Sequence, residues 1–114
     1  MNSRAKGKAG ELELAKVLRE HGFDEARRGV QYSGGGDSPD IVGLPGFHVE
    51  CKRVESGNLY TWLDQAVRDS DGTGRVPVVA HRKSRRAWVA VLLLDDFLRL
   101  VNGNNTSRRI DNAE

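Results

Sequence analysis

The chain has 114 residues, and its 18 Lys and Arg against 16 Asp and Glu give a formal net charge of +2. This length supports one domain with a modest core and excludes two, so we place a single domain at residues 1–101 and predict a disordered polar tail at 102–114. A single cysteine excludes an internal disulfide and a thiolate metal cage. No apolar run approaches the ~20 residues that span a bilayer, and no signal segment follows Met1. We therefore expect a cytoplasmic protein with no membrane partner.

The amino-terminal segment is basic and leads into a helix. The helix is predicted from Gly7 or Ala9 to His21, because apolar residues recur at helical spacing and Gly22 is typical of the residue after a helix. The basic residues before it form either a solvated terminus or an arm that contacts phosphate groups. They are Arg4, Lys6 and Lys8.

Two acidic residues, Glu11 and Glu13, lie near the start of this predicted helix. The positive end of the helix dipole favours negative charge there, which explains both residues without a functional role. Glu11 has a second interpretation, because it lies on the apolar side of the helix. From there its carboxylate could reach the edge of a sheet and join a metal site.

A strand is predicted over Ala26–Tyr32, and a glycine-rich loop follows it at residues 33–38. Three consecutive glycines form no regular element, since glycine has the most backbone freedom to lose. The loop is either an ordinary surface loop or a mobile segment that moulds to a nucleic-acid backbone.

The most informative stretch, residues 38–52, is predicted to form two strands joined by a glycine- and proline-rich turn. Pro39 begins the first strand, because proline cannot donate a hydrogen bond within a sheet. The second strand, residues 47–54, alternates between two faces. Glu50 and Lys52 therefore share one face.

The predicted hairpin brings Asp40 beside Glu50 and Lys52. Two carboxylates repel each other at one sheet edge, and charges that leave water need partners. A divalent cation resolves this cost, and hard carboxylate oxygens suit Mg²⁺. The alternative is an ordinary Glu and Lys pair on a solvent-facing strand. Cys51 faces away and is expected to fill the core.

The rest of the chain is predicted to alternate again between helix and strand. Asn58 caps a helix over residues 59–69, an apolar run predicts a buried strand at 76–80, and a further strand follows at 87–92. A last helix ends near Val101. It is predicted to be capped by Asp95 and Asp96, with Phe97, Leu98 and Leu100 turned inward.

Clustered cations in this chain are candidates for contact with nucleic acid. A basic turn at residues 81–86 separates the last two strands. Such a turn is often simply solvated, but next to the predicted metal site it is expected to clamp a nucleic-acid backbone, because Arg and Lys pair with phosphate and release counterions. The candidates are Arg82, Lys83, Arg85 and Arg86, together with Arg27 and Arg28 at the start of the first strand.

The residues Pro39-Asp40 and Glu50-Cys51-Lys52 resemble the motif of the PD-(D/E)XK nuclease superfamily. The resemblance implies an α/β fold with a restriction-endonuclease-like αβββαβ core, in which helices flank a mixed central sheet. It also implies Mg²⁺, for which Mn²⁺ substitutes, held by Asp40, Glu50 and the Cys51 backbone carbonyl. Lys52 would orient or deprotonate the attacking water, or neutralise charge on the phosphate.

The segment from Lys6 to Glu11, followed by a helix and Gly22-Phe23, is similar to the opening of archaeal-type Holliday junction resolvases and their phage relatives. In that group a glutamate of the first helix joins the metal site, which implies Glu11, and a loop serine assists, for which Ser33 is the nearest match. In several branches of the superfamily a glutamine on the helix after the motif points back to the site, which implies Gln65, although an exposed glutamine without a role is the alternative.

This resemblance implies a structure-selective endodeoxyribonuclease, most specifically a Holliday junction resolvase that acts in DNA recombination and repair. A four-way junction has two-fold symmetry, so the enzyme is expected to be a homodimer in a bacterial or archaeal cytoplasm, and its size suits a phage protein. Residues around Val89–Leu94 are candidates for the dimer surface. A flap, single-strand or nicking nuclease, and a nucleic-acid-binding module without turnover, are the alternatives. The choice between DNA and RNA, and between one metal and two, stays open at this point.

Overall fold

The computed structural model describes residues 3–29 and 38–103, with side chains from residue 7 onward. The order of elements confirms the predicted helix, three strands, helix, two strands and helix. They are α1 (Ser3–Glu20), β1 (Arg27–Arg28), β2 (Ile41–Val42), β3 (Phe47–Arg53), α2 (Leu59–Ser70), β4 (Val76–Arg82), β5 (Val89–Val91) and α3 (Leu94–Val101).

The five strands form one mixed sheet in the order β1-β2-β3-β4-β5, with β3 at its centre. Strands β3 and β4 are parallel, and the other neighbours are antiparallel. A parallel pair needs a crossover, which α2 supplies. Helices α1 and α2 cover the sheet with two separate apolar clusters, so the predicted α/β class is confirmed. The first contains Leu14, Ala15, Ile41, Val49 and Val78, and the second contains Leu63, Ala66 and Val79.

Helix α1 begins at Ser3, four residues before the earliest predicted start. The predicted start of the helix was therefore too late, and Arg4, Lys6 and Lys8 lie on the first turns of the helix. Helix α1 continues through Gly10 without a break. The position requires glycine, because α1 packs closely against the end of β3. A Cβ atom at Gly10 would lie 2.5 Å from the Cβ of Arg53 at the end of β3.

Among residues 3–29 and 38–103, the first strand comprises Arg27 and Arg28, which pair with β2. One further hydrogen bond joins the Gly29 N–H to the Asp40 carbonyl at 2.8 Å. Residues 30–37 lie outside the described part of the chain, and Ser33 is among them. Strand β4 extends two residues beyond its predicted end, so His81 and Arg82 belong to the strand rather than to the basic turn.

Helix α3 differs most from its prediction. Asp95 and Asp96 lie inside its first turn, and Leu93 is the N-cap residue, without a capping side-chain hydrogen bond. Phe97, Leu98 and Leu100 are 43–49% exposed rather than turned inward. None of the helices among the described residues has the length and apolar content needed to cross a membrane.

Candidate active site

Asp40 is fixed against β3 by two hydrogen bonds. Its backbone N–H donates to the Val49 carbonyl at 2.9 Å, and its Oδ2 accepts a hydrogen bond from the Cys51 backbone N–H at 2.8 Å. In an extended strand the N–H and C=O of one residue face the same neighbouring strand. The Cys51 carbonyl therefore faces the side on which Asp40 lies, as a shared ligand set requires.

Glu50 lies next to Asp40 on the face of β3 that meets α2, and it is only 4% exposed. Burial, followed by the negative charge of Asp40 and a side-chain hydrogen bond with it, raises the pKa of Glu50 from 4.5 to about 8. Asp69 adds to this rise, whereas the positive charge of Lys52 opposes it. The Asp40 and Glu50 carboxyl groups are therefore in direct contact. Because Glu50 is buried, the alternative of a solvent-exposed Glu and Lys pair is wrong for this residue.

Two residues that the sequence analysis did not identify complete the surroundings of Glu50. His48 is 1% exposed, and its Nε2 lies 2.7 Å from Glu50 Oε2. Asp69, in the last turn of α2, brings a carboxylate oxygen within 4.8 Å of the ligand atoms of both residues. The position of His48 two residues before Glu50, on the same strand face, was a usable signal. No local pattern predicts the position of Asp69, because it lies far away in the sequence.

Lys52 and Cys51 occupy opposite faces of β3, as the alternation predicts. The Cys51 side chain packs against the cluster beneath α1, and burial raises the pKa of its thiol to about 12. A neutral, buried thiol is unreactive. Lys52 is half-buried and follows Glu50 on the α2 side of the sheet.

Glu11 and Glu13 both form ion pairs from the middle of α1. Because the helix begins at Ser3, neither lies in its first turn, and the dipole explanation was wrong. Glu11 accepts a hydrogen bond from Arg28 Nε at 2.9 Å. Glu13 pairs with Arg82 and lies 3.6 Å from Arg53 Nε. The negative charges of Glu11 and Glu13 both help to raise the pKa of the Cys51 thiol. Both residues therefore lie on the side of β3 that α1 covers.

Gln65 is half-buried on α2, one turn before Asp69. Residues four apart lie on the same side of a helix, so Gln65 and Asp69 share one side of α2. Asp69 lies close to His48 and Glu50, and Gln65 follows on the same side of the helix one turn away.

Most of the predicted cations lie at the end of the sheet where β3 and β4 finish. Arg53 pairs in register with Arg82, so the basic turn begins immediately beyond Lys52. Three side chains of the turn are exposed: Lys83, Arg85 and Arg86. The Arg82 side chain forms an ion pair with Glu13, and the Arg28 side chain forms one with Glu11. The exposed Arg27 side chain donates a hydrogen bond to the Glu25 carbonyl at 2.9 Å.

The start of α1 projects toward the same end of the sheet. Gly10 contacts Arg53, whereas Leu14 packs in a cluster with Val49, so α1 runs opposite to β3. The first helical turns, which carry Arg4, Lys6 and exposed Lys8, therefore extend beyond the carboxyl end of β3.

The donor set at the hairpin fits a hard divalent cation. The buried Glu50 carboxyl group contacts Asp40 and lies within 4.8 Å of an Asp69 oxygen. The Asp69 Oδ2 atom is buried without a hydrogen-bond partner among the described residues. Asp40 and Glu50 already share a hydrogen bond, which shows how closely two carboxyl oxygens approach here. Carboxylate and carbonyl oxygens are the ligands that Mg²⁺ prefers.

A mixed sheet flanked by helices, with Pro-Asp and Glu-x-Lys brought together on a central hairpin, is the arrangement of the PD-(D/E)XK nucleases. A family model described as "Phage putative PDDEXK endonuclease" matches residues 2–112, and the chain belongs to that family. The predicted superfamily is thereby confirmed. No curated protein and no solved structure gives a match.

Proposed function

We propose that the protein is a Mg²⁺-dependent, structure-selective endodeoxyribonuclease, and specifically a Holliday junction resolvase. The observation that carries the nuclease activity is the contact between Asp40 and Glu50, with Asp40 anchored on the Cys51 amide and Lys52 next along the strand. The Asp40 and Glu50 carboxylates and the Cys51 carbonyl would hold the cation. When bound, Mg²⁺ polarises the scissile phosphate and lowers the pKa of its water.

The remaining catalytic roles belong to side chains around this pair. Lys52 orients or deprotonates the attacking water, or neutralises charge that develops on the phosphate. Gln65, on the helix after the motif, is assigned an assisting role by resemblance. Glu11 would reach the metal site from α1 by leaving its ion pair with Arg28. Ser33 is assigned a supporting role by resemblance, and it lies outside the described residues.

DNA binding is proposed along the carboxyl end of β3 and β4. The exposed cations of the β4–β5 turn and the first turns of α1 lie at this end, next to Lys52. Phosphate contacts of this kind position the backbone and do not read bases. Binding is therefore expected to follow the shape of the DNA rather than its sequence, as a junction enzyme requires.

The proposed homodimer is supported by the apolar surface of α3 and the adjacent edge strand β5. Large apolar side chains on this surface are exposed, and paired cutting of a two-fold junction requires two copies of a chain with one site. The surface comprises Val89, Leu93, Leu94, Phe97, Leu98, Leu100 and Val101, which are 42–66% exposed. A Leu98→Glu variant is expected to be monomeric in light scattering and to retain single nicks while losing paired ones.

The alternatives differ in substrate or in turnover. A flap, single-strand or nicking nuclease of the same superfamily would act as a monomer. A nucleic-acid-binding module without turnover would bind through the same basic end of the sheet. Direct contact between Asp40 and Glu50 favours catalysis, since such a site has little use in binding alone.

The test is cleavage of a labelled four-way junction, a matched linear duplex and a flap, with Mg²⁺ or with EDTA. Lys52→Ala is expected to lower the cleavage rate about a hundredfold or more while junction binding is kept, because the lysine acts on charge that develops in the transition state. Lys16→Ala, on the exposed part of α1, is the matched control.

Paired symmetric nicks on the junction, absent with EDTA and in Lys52→Ala, are the expected result. Cleavage mainly at flaps or single strands would keep the nuclease and exclude the resolvase. Binding without metal-dependent cleavage of any substrate would identify a binding module.

A further inference from the structure

Glu50 is held from its buried side by two residues that are not part of the metal-binding motif. His48 and Glu50 are both nearly inaccessible to solvent, and the His48 Nε2 to Glu50 Oε2 distance is 2.7 Å. With its proton on Nε2, the imidazole donates to this carboxylate oxygen. The contact fixes the rotation of the Glu50 carboxyl group relative to Asp40.

At 2.7 Å, the separation of His48 Nε2 and Glu50 Oε2 is that of a direct hydrogen bond. Two neighbouring ligands of one cation lie farther apart, by about 3.3 Å on a tetrahedral ion and about 2.9 Å on an octahedral one. His48 therefore contacts Glu50 itself.

Asp69 reaches the same place from the end of α2. One of its oxygens lies within 4.8 Å of the ligand atoms of both His48 and Glu50. Its Oδ2 is buried with no hydrogen-bond partner among the described residues, which is a costly arrangement for a carboxylate. A carboxylate that accepts one ring N–H of an imidazole fixes the orientation of the ring. When both ring nitrogens carry a proton, the second N–H donates to the other neighbouring carboxylate.

We propose that His48 is a positioning residue that orients the metal-binding carboxylate of Glu50, and that Asp69 holds the imidazole for this task. The inference rests on the proposed function, because it assigns Glu50 to a metal site. It makes the last turn of α2 part of the support for that site, although α2 contains no residue of the motif.

The experiment measures Mn²⁺ binding to the full chain by calorimetry without DNA, and junction cleavage as a function of Mn²⁺ concentration. His48→Leu removes the donor, His48→Gln keeps an N–H group, and Asp69→Asn keeps the volume of the side chain. Ser70→Ala is the matched control, because Ser70 is buried in the same turn and its hydroxyl donates to the Val67 carbonyl. Circular dichroism establishes that each variant is folded.

His48→Leu is expected to weaken Mn²⁺ binding by about 10–100-fold, the usual effect of losing a partner of a metal ligand. Cleavage is expected to recover at saturating Mn²⁺, so the half-saturating metal concentration changes more than the maximal rate. His48→Gln should keep most of the wild-type affinity for Mn²⁺. The affinity of Asp69→Asn should lie between those of His48→Leu and His48→Gln, and Ser70→Ala should bind Mn²⁺ as the wild type does.

The proposal would be refuted if the folded His48→Leu and Asp69→Asn variants bound Mn²⁺ with wild-type affinity. If His48→Leu does not fold, the Mn²⁺ affinity of Asp69→Asn alone tests the proposal. Zn²⁺ binding that survives Asp40→Asn but requires His48 would also refute it, because the cluster would then be a separate cation site. A wild-type chain that binds Mn²⁺ but cleaves no DNA would refute the proposed function alone, and the Mn²⁺ affinities would still decide the role of His48.

Discussion

The ionisation of Glu50 makes the stability of the metal-free protein depend on pH. Its pKa is raised from 4.5 to about 8 in the folded chain, chiefly by burial and by Asp40. Between these two values the folded state keeps a proton that the unfolded state has released. The free energy of unfolding therefore falls as pH rises through this window, and the stabilisation is complete only below about pH 4.5.

The size of the effect follows from the two pKa values. One proton contributes up to about 1.4 kcal/mol per pH unit, so the full window corresponds to about 5 kcal/mol. Between pH 5.5 and 7.5 the Glu50 contribution is expected to fall by about 3 kcal/mol. No reduction for solvent screening applies, since the side chain is only 5% exposed.

The assay is urea unfolding in EDTA at several pH values, for the wild type and for Glu50→Gln. The glutamine cannot ionise, yet its carbonyl can still accept a hydrogen bond from His48. Subtracting the unfolding free energies of Glu50→Gln from those of the wild type at each pH cancels the contributions of the groups that titrate in both proteins. Added Mg²⁺ is expected to flatten the wild-type profile, because the cation competes with the proton for the carboxylate.

Parallel profiles for the two proteins would refute this reasoning. They would mean that Glu50 ionises in the folded chain as it does in water, so that neither burial nor Asp40 perturbs it. A wild-type profile that rises with pH relative to Glu50→Gln would mean that the carboxylate is held in its charged form by the protein alone.

Three further predictions concern packing and DNA binding. Gly10→Ala is expected to destabilise the protein by about 1–3 kcal/mol in urea unfolding, because its Cβ would meet β3, whereas Gly7→Ala, with open space around it, is expected to be neutral or stabilising. Glu55→Ala is expected to speed hydrogen exchange of the Ser84 amide about tenfold, since the Glu55 carboxylate accepts bonds from the Ser84 N–H and hydroxyl; unchanged exchange would contradict an ordered turn. Lys83→Ala is expected to lower the salt dependence of junction binding by about one phosphate contact without changing the maximal cleavage rate, and an unchanged slope would exclude this contact.

The elements that the sequence predicted well are those fixed by near neighbours. Asn58 accepts a hydrogen bond from the Thr61 N–H at 3.1 Å, as its capping prediction requires. The alternation of β3 places Cys51 in the core and Glu50 toward α2, because side chains of a strand alternate regardless of what covers each face. The Pro-Asp and Glu-x-Lys residues could be paired in advance because a short turn joins their strands.

The failures involve partners that are far apart in the sequence. The start of α1 was placed too late, and the close approach to Arg53 that requires Gly10 is a tertiary contact. Local sequence does not reveal that Arg82, a predicted phosphate contact, also pairs with Glu13, which precedes it by 69 residues. It does not reveal either that Asp69, at the end of α2, lies close to His48 in the folded chain.

Helix α3 shows why an amphipathic pattern does not by itself identify a buried face. Its apolar residues recur at helical spacing, which is the pattern of a helix packed on a core. The described residues nevertheless leave Leu94 and Val101 each 66% exposed. Isolated helices shorter than about 12–15 residues are marginal in water, and α3 has 8. A short helix with an exposed apolar face is stabilised by any surface that covers it, so covering by a second copy would link the formation of the proposed dimer to the stability of α3.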